Sequence, residues 1–423
     1  MRRARKAAAG AFVGTSLEFY DFYIYATASA LVFGTVFFPE NENPFIGTLA
    51  AFAVFGVGFL ARPLGAVVIG HIGDRHGRKR ALIISLMMMG AATFLIGFVP
   101  SFDSIGLWAP AILVVLRLIQ GFAIGGEWGG AALISTESAP EGRVNFFGAF
   151  TQLGSPAGTV MSSGMFALAG LGGQEILEEW AWRVPFWFAG ILVIVGLILR
   201  ARLEESPVFQ RAVSEQERKK LPVVEVFRKE YRSVLAGVLL VAHGIGGFYV
   251  TGTLFLSYAT QGQGLESSPL LIGQIIAAAS SFVTFPIVAT LADRIGERRV
   301  LLVSAVLVIV FAAPHFLVIG SGNYVLISVM LVVTQTVGAG AWVCIPGFLG
   351  RAFAPETRYT GISLAYQLAS ILFGGVLPSV GAAILAVTAG AVIGPVLILV
   401  GLAVMVMIGA VLTHRIVKER EAV

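Results

Sequence analysis

Five charged side chains interrupt otherwise apolar stretches of this chain. They are Glu18 and Asp21 in GTSLEFYDFYIY (14–25), Arg62 in FGVGFLARPLG (55–65), Arg117 in VVLRLIQG (114–121) and Glu127 in GGEWGG (125–130). Carboxylates in such surroundings can hold and release protons, and guanidiniums grip carboxylates in bidentate fashion. Helical spacing puts Gly14, Glu18, Asp21 and Tyr25 on one face at i, i+4, i+7 and i+11, and Arg117, Gln120, Gly121, Ile124 and Glu127 on another. Other chemistry is missing from the sequence: there is no Walker sequence, no cluster with metal-ligand spacing and no nucleophile beside a base. We therefore expect no enzyme, no metal and no cofactor.

The charges do not balance. Three carboxylates face two arginines, and arginine keeps its proton, so one carboxylate lacks a cationic partner. An ion in hydrocarbon costs about 2.5 to 3.5 kcal/mol by insertion scales, and taking up a proton relieves that cost. Asp21 is the favoured proton carrier, modulated by Arg117, with Glu18 and then Glu127 after it. The competing reading is a static charge network that holds helices together. Arg62, next to Pro63, suits either the carboxylate of an anionic ligand or neutralisation of Glu18 or Glu127.

The elements that carry these residues must be membrane helices. Of 423 residues, 57% are hydrophobic and 13% charged, and the mean hydropathy is +0.86, too apolar for a soluble domain. The apolar runs reach the roughly 20 residues that a bilayer-spanning helix needs, and they lack the alternation of a barrel. Spans are expected near 10–37, 46–72, 81–99, 109–135, 146–171, 184–203, 233–261, 268–291, 300–319, 323–349, 361–386 and 390–412. The first belongs to the mature architecture, because it is long, carries carboxylates and lacks a small-residue cleavage site. The single Cys344 falls within a span, so no intrachain disulfide can form.

A net charge of +5 raises the possibility of nucleic acid, but the basic residues sort by loop instead. All of the 29 Lys and Arg except Arg62, Arg117 and Arg183 fall on one side of the spans. By the positive-inside rule that side is the cytoplasm, with both termini on it. The only long polar segment, 200–232, separates an expected N-terminal six-helix bundle (1–199) from a C-terminal one (233–423) as a cytoplasmic linker.

Internal echoes support two halves. GHIGDRHGRKRAL (70–82) returns as ATLADRIGERRVLL (289–302), APEGR (139–143) as APETR (354–358), and Gln152-Leu153 as Gln367-Leu368. At these offsets Arg117 corresponds to Val332 and Glu127 to Trp342; the fainter echo of FYIY (22–25) in FYVT (248–251) aligns Asp21 with Gly247. Charge belongs to the first half. The second offers His243, Tyr249, Gln335, Trp342, Tyr366 and Gln367, groups suited to hydrogen bonding and stacking.

With these motifs the chain resembles the major facilitator superfamily, and within it the metabolite:proton symporters. The loop signature stands as Gly70, Asp74, Arg75, Gly77, Arg78 and Lys79, with Asp293 and Arg294 as its second-half echo, and the fourth-span signature as Arg117, Gln120 and Gly121. Closer to the family are EFYDFYIY, ARPLGAVVIGHIGDRHGRK, GGEWGGA, WRVPFW, LEESPVF and RYTGISLAYQ. The resemblance implies an all-α membrane protein of twelve helices in two six-helix pseudo-repeats, in a plasma (inner) membrane. It also implies proton-coupled import of a carboxylate, shikimate, proline or betaine by alternating access, with the loop signature as a gating latch. GSPAG (154–158) only partly matches the exporter signature, which argues against antiport; proton-driven efflux by antiport is the alternative reading. Substrate contacts are expected from Arg62, Tyr25, Gln120, Gln152, Tyr249, Trp342 and Gln367. The expected partners are a small organic anion or zwitterion, H+ and lipid, with no nucleic acid, and the protein is expected to be a monomer.

Depth within the spans adds one more expectation. Counting from span centres, Glu18, Asp21, Arg62 and Glu127 fall within about one helical turn of each other, whereas Arg117 lies roughly 12 Å from Asp21 along the axis. Tilt or the long arginine side chain would have to close that gap for the pair to meet.

Overall fold

The computed structural model describes residues 2–39, 42–76, 78–125, 132–133, 135–137, 139–201, 226, 228–354 and 357–422. Most of the expected 200–232 linker, Glu127 and Gly77 lie outside the described residues. For Gly70, Asp74, Arg75 and Arg78 the helical backbone alone is described.

Twelve helical rods run through the described residues. They are α1 (Arg2–Leu31, then a short Phe33–Val36 turn), α2 (Pro44–His76), α3 (Arg78–Ile96), α4 (Trp108–Ile124), α5 (Val144–Gln152 with Gly154–Ala169) and α6 (Arg183–Ala201). The remainder are α7 (Tyr231–Gly262), α8 (Ser267–Ile295), α9 (Glu297–Ser321), α10 (Tyr324–Gly338, Gly340–Val343 and Ile345–Arg351), α11 (Arg358–Val387) and α12 (Ile393–Glu421). Several outrun the hydrophobic stretches expected for them. α1 starts at Arg2 and α12 runs to Glu421, because charged residues prolong the helix beyond the apolar run.

The rods are not uniform. Pro63, Pro286 and Pro314 lie inside α2, α8 and α9, where each removes a backbone donor. α7 widens into π-helical turns at Tyr249–Leu254 and Tyr258–Gly262, and α11 does so at Ser370–Val376. Such turns often mark functional positions in a helix.

Lipid is as apolar as leucine, so helices in a bilayer associate through close packing of small residues more than through burial of oil. α2 against α4, α1 against α5 and α3 against α6 recur six helices later as α8 against α10, α7 against α11 and α9 against α12. The first of these contacts rests on glycine. A Cβ at Gly121 would overlap the Gly58 carbonyl, and one at Gly65 would overlap the Phe122 carbonyl.

The first six helices meet the last six through α2 against α11, α5 against α8 and α1 against α7. Hydrogen bonds cross this seam at both ends. Toward the basic loops, Gln152 Nε2 donates to the Trp342 carbonyl (2.7 Å) and Trp342 Nε1 donates to the Gln152 carbonyl (3.3 Å). At the far end, Gln261 Nε2 donates to the Ala30 carbonyl (3.1 Å), Asn43 Nδ2 donates to the Ala386 carbonyl (3.1 Å) and Thr48 bonds Gln261. Among the described residues the two halves are thus bonded to each other toward both ends.

Gly121→Leu is expected to pry α2 from α4 and to cost at least the 1–3 kcal/mol that is usual for overpacking, on the order of several degrees of melting temperature. Thermal melting of detergent-purified protein measures this, and an unchanged transition would contradict it.

Candidate functional site

The charged side chains expected from the sequence converge in the interior of the first six helices. Glu18, Asp21, Arg62 and Arg117 are all buried, Arg117 to 1% exposure. Their environment is built by α1, α2, α3 and α4, each of which supplies polar or aromatic groups to an otherwise apolar core.

Asp21 is held by neutral donors. The Thr93 hydroxyl of α3 bonds its Oδ1, and Gln120 Nε2 of α4 lies 3.4 and 3.3 Å from Oδ1 and Oδ2. Gln120 Nε2 also donates to Thr93 Oγ1 (2.6 Å), while its Oε1 accepts from Arg117 Nη1 (2.8 Å). The guanidinium therefore reaches the carboxylate through one amide. This settles the depth question differently from a simple register count: Arg117 and Asp21 belong to one hydrogen-bond chain, because Gln120, one helical turn along α4, spans the gap.

Aromatic faces solvate the cations. The Arg117 guanidinium carbon lies 4.0 Å from the Tyr25 ring centroid and 4.6 Å from that of Phe55. Arg62 sits between Phe22 and Phe59 at 4.3 and 4.2 Å. Each such contact is worth about 0.5 to 2 kcal/mol, more where water is absent. Arg117 Nε and Nη2 and Arg62 Nε have no hydrogen-bond partner among the described residues, so the rings replace part of a missing hydration shell. Glu18, Asp21, Tyr249 and Tyr366 lie within electrostatic reach of Arg62.

The expected substrate contacts divide. Tyr25 lies beneath Arg117, and Gln120 is committed to the Arg117–Asp21 chain. Gln152 and Trp342 bond each other across the seam. Tyr249 packs edge-on against Phe55, 5.3 Å between centroids, and Gln367 is buried, its Oε1 without a hydrogen-bond partner among the described residues. None of these side chains lines the cavity of about 40 Å³ between α1, α5, α7, α8 and α10. A narrow crevice of about 10 Å³ between α1, α3 and α6 has Asp21 in its wall.

Sequence reasoning missed Thr93, Phe22 and Phe59. Thr93 is a lone hydroxyl in the apolar GAATFLIG (90–97), and that isolation was its only signal.

Of the two loop echoes, the second is described. Asp293 at the end of α8 crosses the seam to the first turn of α5, where Oδ1 accepts from Asn145 N (2.9 Å) and Nδ2 (3.0 Å), and Oδ2 from Phe146 N (3.0 Å). Those amides are among the donors that a helix start leaves unpaired, and the helix dipole favours the negative charge. Glu297 joins them, accepting from Asn145 Nδ2 (3.0 Å) and pairing with Arg351 at 2.5 Å. Arg294 is exposed.

Comparison with known proteins gives a consistent result. Residues 11–377 match the Major Facilitator Superfamily. The shikimate transporter of Escherichia coli K12 is 40% identical over 395 residues, which cover 92% of this chain and 90% of that protein. The inner membrane metabolite transport protein YhjE of the same organism is 38% identical, over 89% of this chain and 87% of its own. The proline/betaine transporter of E. coli is 34% identical, over 90% and 77%. Among solved structures, the xylose transporter XylE of E. coli in a partially occluded inward-open conformation superposes with a TM-score of 0.69 over 98% of both chains at 17% identity, a likeness of fold.

Asp293→Ala is expected to free the start of α5 and loosen the basic end. The buried Cys344, the only cysteine, lies two residues beyond Trp342 and reports on this. Its labelling by a membrane-permeant maleimide should quicken, roughly tenfold for a closure weakened by about 1.4 kcal/mol. An unaltered labelling rate would argue that the cap does not hold that end shut.

Proposed function

Starting from the fact that this chain belongs to the Major Facilitator Superfamily, we propose that it is a proton-coupled transporter that imports a small organic acid or zwitterion by alternating access. In this reading residues 1–199 and 233–423 are the two moving halves, joined by the 200–232 linker. The protein works as a monomer in the inner membrane with both termini in the cytoplasm. The relatives named as shikimate and proline/betaine transporters support a small metabolite as cargo.

One observation carries the coupling: Asp21 is held by a hydroxyl and an amide, with the guanidinium one group away. Neutral partners can serve both protonation states. With Asp21 ionised, Thr93 donates to it. With Asp21 protonated, the Thr93 proton turns to the Met89 carbonyl, 2.9 Å away, and its oxygen accepts from the new carboxyl O–H. Proton uptake then needs a hydroxyl rotation rather than the breaking of a buried ion pair. Arg117, tied through Gln120, senses the change and relays it within the first half.

Alternation follows from the two sets of seam contacts. Opening toward the basic end breaks Gln152–Trp342 and the Asp293 cap of α5. Opening at the other end breaks Gln261–Ala30 and Asn43–Ala386. Glu18, Arg62, Tyr249, Tyr366 and Gln367 lie where the seam would widen, and Arg62 is the cationic group for a substrate carboxylate.

In proteoliposomes with an imposed inward proton gradient, the wild-type protein should accumulate labelled organic acid. Asp21→Asn should lower that accumulation by on the order of tenfold, about 1.4 kcal/mol of driving force, while counterflow exchange persists. Undiminished gradient-driven accumulation in Asp21→Asn would refute the carrier role, and export rather than uptake on the same gradient would favour antiport.

A further inference from the structure

Arg62 belongs to the first half, yet one of the two rings that seat it is touched by two helices of the second. That ring is Phe59, one turn before Arg62 on α2, buried to 2% exposure and 4.2 Å from the guanidinium carbon at its centroid. Within the first half it packs on Phe22 (5.8 Å between centroids) and Phe55 (5.3 Å). From the second half, Tyr249 of α7 meets it edge-on at 6.4 Å. The closer approach is that of α11.

At this place α11 offers backbone rather than side chains. A Cβ at Gly374 would lie 2.8 Å from Phe59 Cε1, and one at Gly375 would lie 3.2 Å from Phe59 Cβ. Both glycines are buried in the π-helical turn Ser370–Val376. One turn earlier on α2 the two main chains touch, because a Cβ at Gly56 would lie 2.5 Å from the Gly375 carbonyl oxygen. Small residues allow helices to come this near, and packing this dense transmits displacement instead of absorbing it.

The ring is therefore held between a cation and the other half of the molecule. A cation–π contact requires the negative face of the ring to stand over the charge, so a tilt of the ring weakens it. Phe59 keeps its face on Arg62 while α11 keeps its place. With α11 drawn back the ring is released, and Arg62 loses one of its two aromatic faces, which favours an anion there instead.

We propose that Phe59 is the positioning residue through which α11 sets the seat of Arg62, so that the approach of the two halves changes how well that buried cation is stabilised. The inference rests on the alternating access proposed above and adds a route by which movement of one half reaches a charged group in the other.

The test follows labelling of Cys344 by a membrane-permeant maleimide in full-length protein without substrate. Gly374→Ala sets a methyl against the ring and should quicken labelling roughly fivefold, about 1 kcal/mol. Were Gly374 and Arg62 independent, the effects of changing both would multiply. With Arg62→Gln in place the ring has no cation to leave, and the same methyl should alter the rate by less than about twofold. Trifluorophenylalanine in place of Phe59 nearly keeps the shape of the ring but drains the negative charge from its faces, and should shrink the effect of Gly374→Ala in the same way. Phe59→Leu, which lacks the crowded Cε1 atom, should abolish it. Thermal melting of each variant checks folding, and the fluorinated ring decides the matter where Phe59→Leu does not fold.

No response to Gly374→Ala, effects that multiply with Arg62→Gln, or a full response with the fluorinated ring would each overturn the proposal. A response that survives Phe59→Leu would also overturn it and pass the link to another group of α11, such as Tyr366, which lies within electrostatic reach of Arg62. Interdependent effects in a protein that no proton gradient drives to accumulate organic acid would leave this inference standing and remove the transport function. Gradient-driven accumulation with multiplying effects would do the reverse.

Discussion

A guanidinium in the middle of a hydrocarbon layer must find its solvent inside the protein, and much of the first half is arranged around that requirement. Arg117 lies on Tyr25 and Phe55 and passes its charge through Gln120 to Asp21, while Arg62 lies between Phe22 and Phe59. Four helices must keep their rotation for these contacts to hold. Rings and amides stabilise a cation without neutralising it.

Close helix contact is the condition for that arrangement. The glycines between α2 and α4 bring the backbones together at Gly58–Gly121 and Gly65–Phe122, at the level of Arg62 and Arg117. Larger residues there would push the two arginines away from the carboxylates that face them. The same helix pairings six positions later carry no arginine equivalent, and α7, α8 and α10 line instead a cavity of hydroxyls and amides. Related packing thus holds charged groups in one half and hydroxyls and amides at the seam with the other.

The seam is held by contacts of moderate strength. Backbone carbonyls accept from Gln152, Gln261 and Asn43, and one charge-assisted cap runs from Asp293 to the start of α5. Each is worth on the order of 1 kcal/mol net, up to about 3 for the charged one. A closure made of such bonds can open at one end without unfolding the bundle that supplies them.

Hydrophobic run length and the placement of Lys and Arg already determined twelve spans and their basic side, because crossing a bilayer is a local property of about 20 residues. Helical spacing likewise put Glu18 and Asp21 on one face and Arg117 and Gln120 on another. What spacing alone left open was which face meets which. The bridge from Arg117 to Asp21 through Gln120, the recruitment of Thr93, the aromatic seats of both arginines and the cap that Asp293 places on a helix 148 residues away in sequence all depend on rotation, tilt and approach. Those are decided by packing between segments distant in the chain, and no one-dimensional period encodes them.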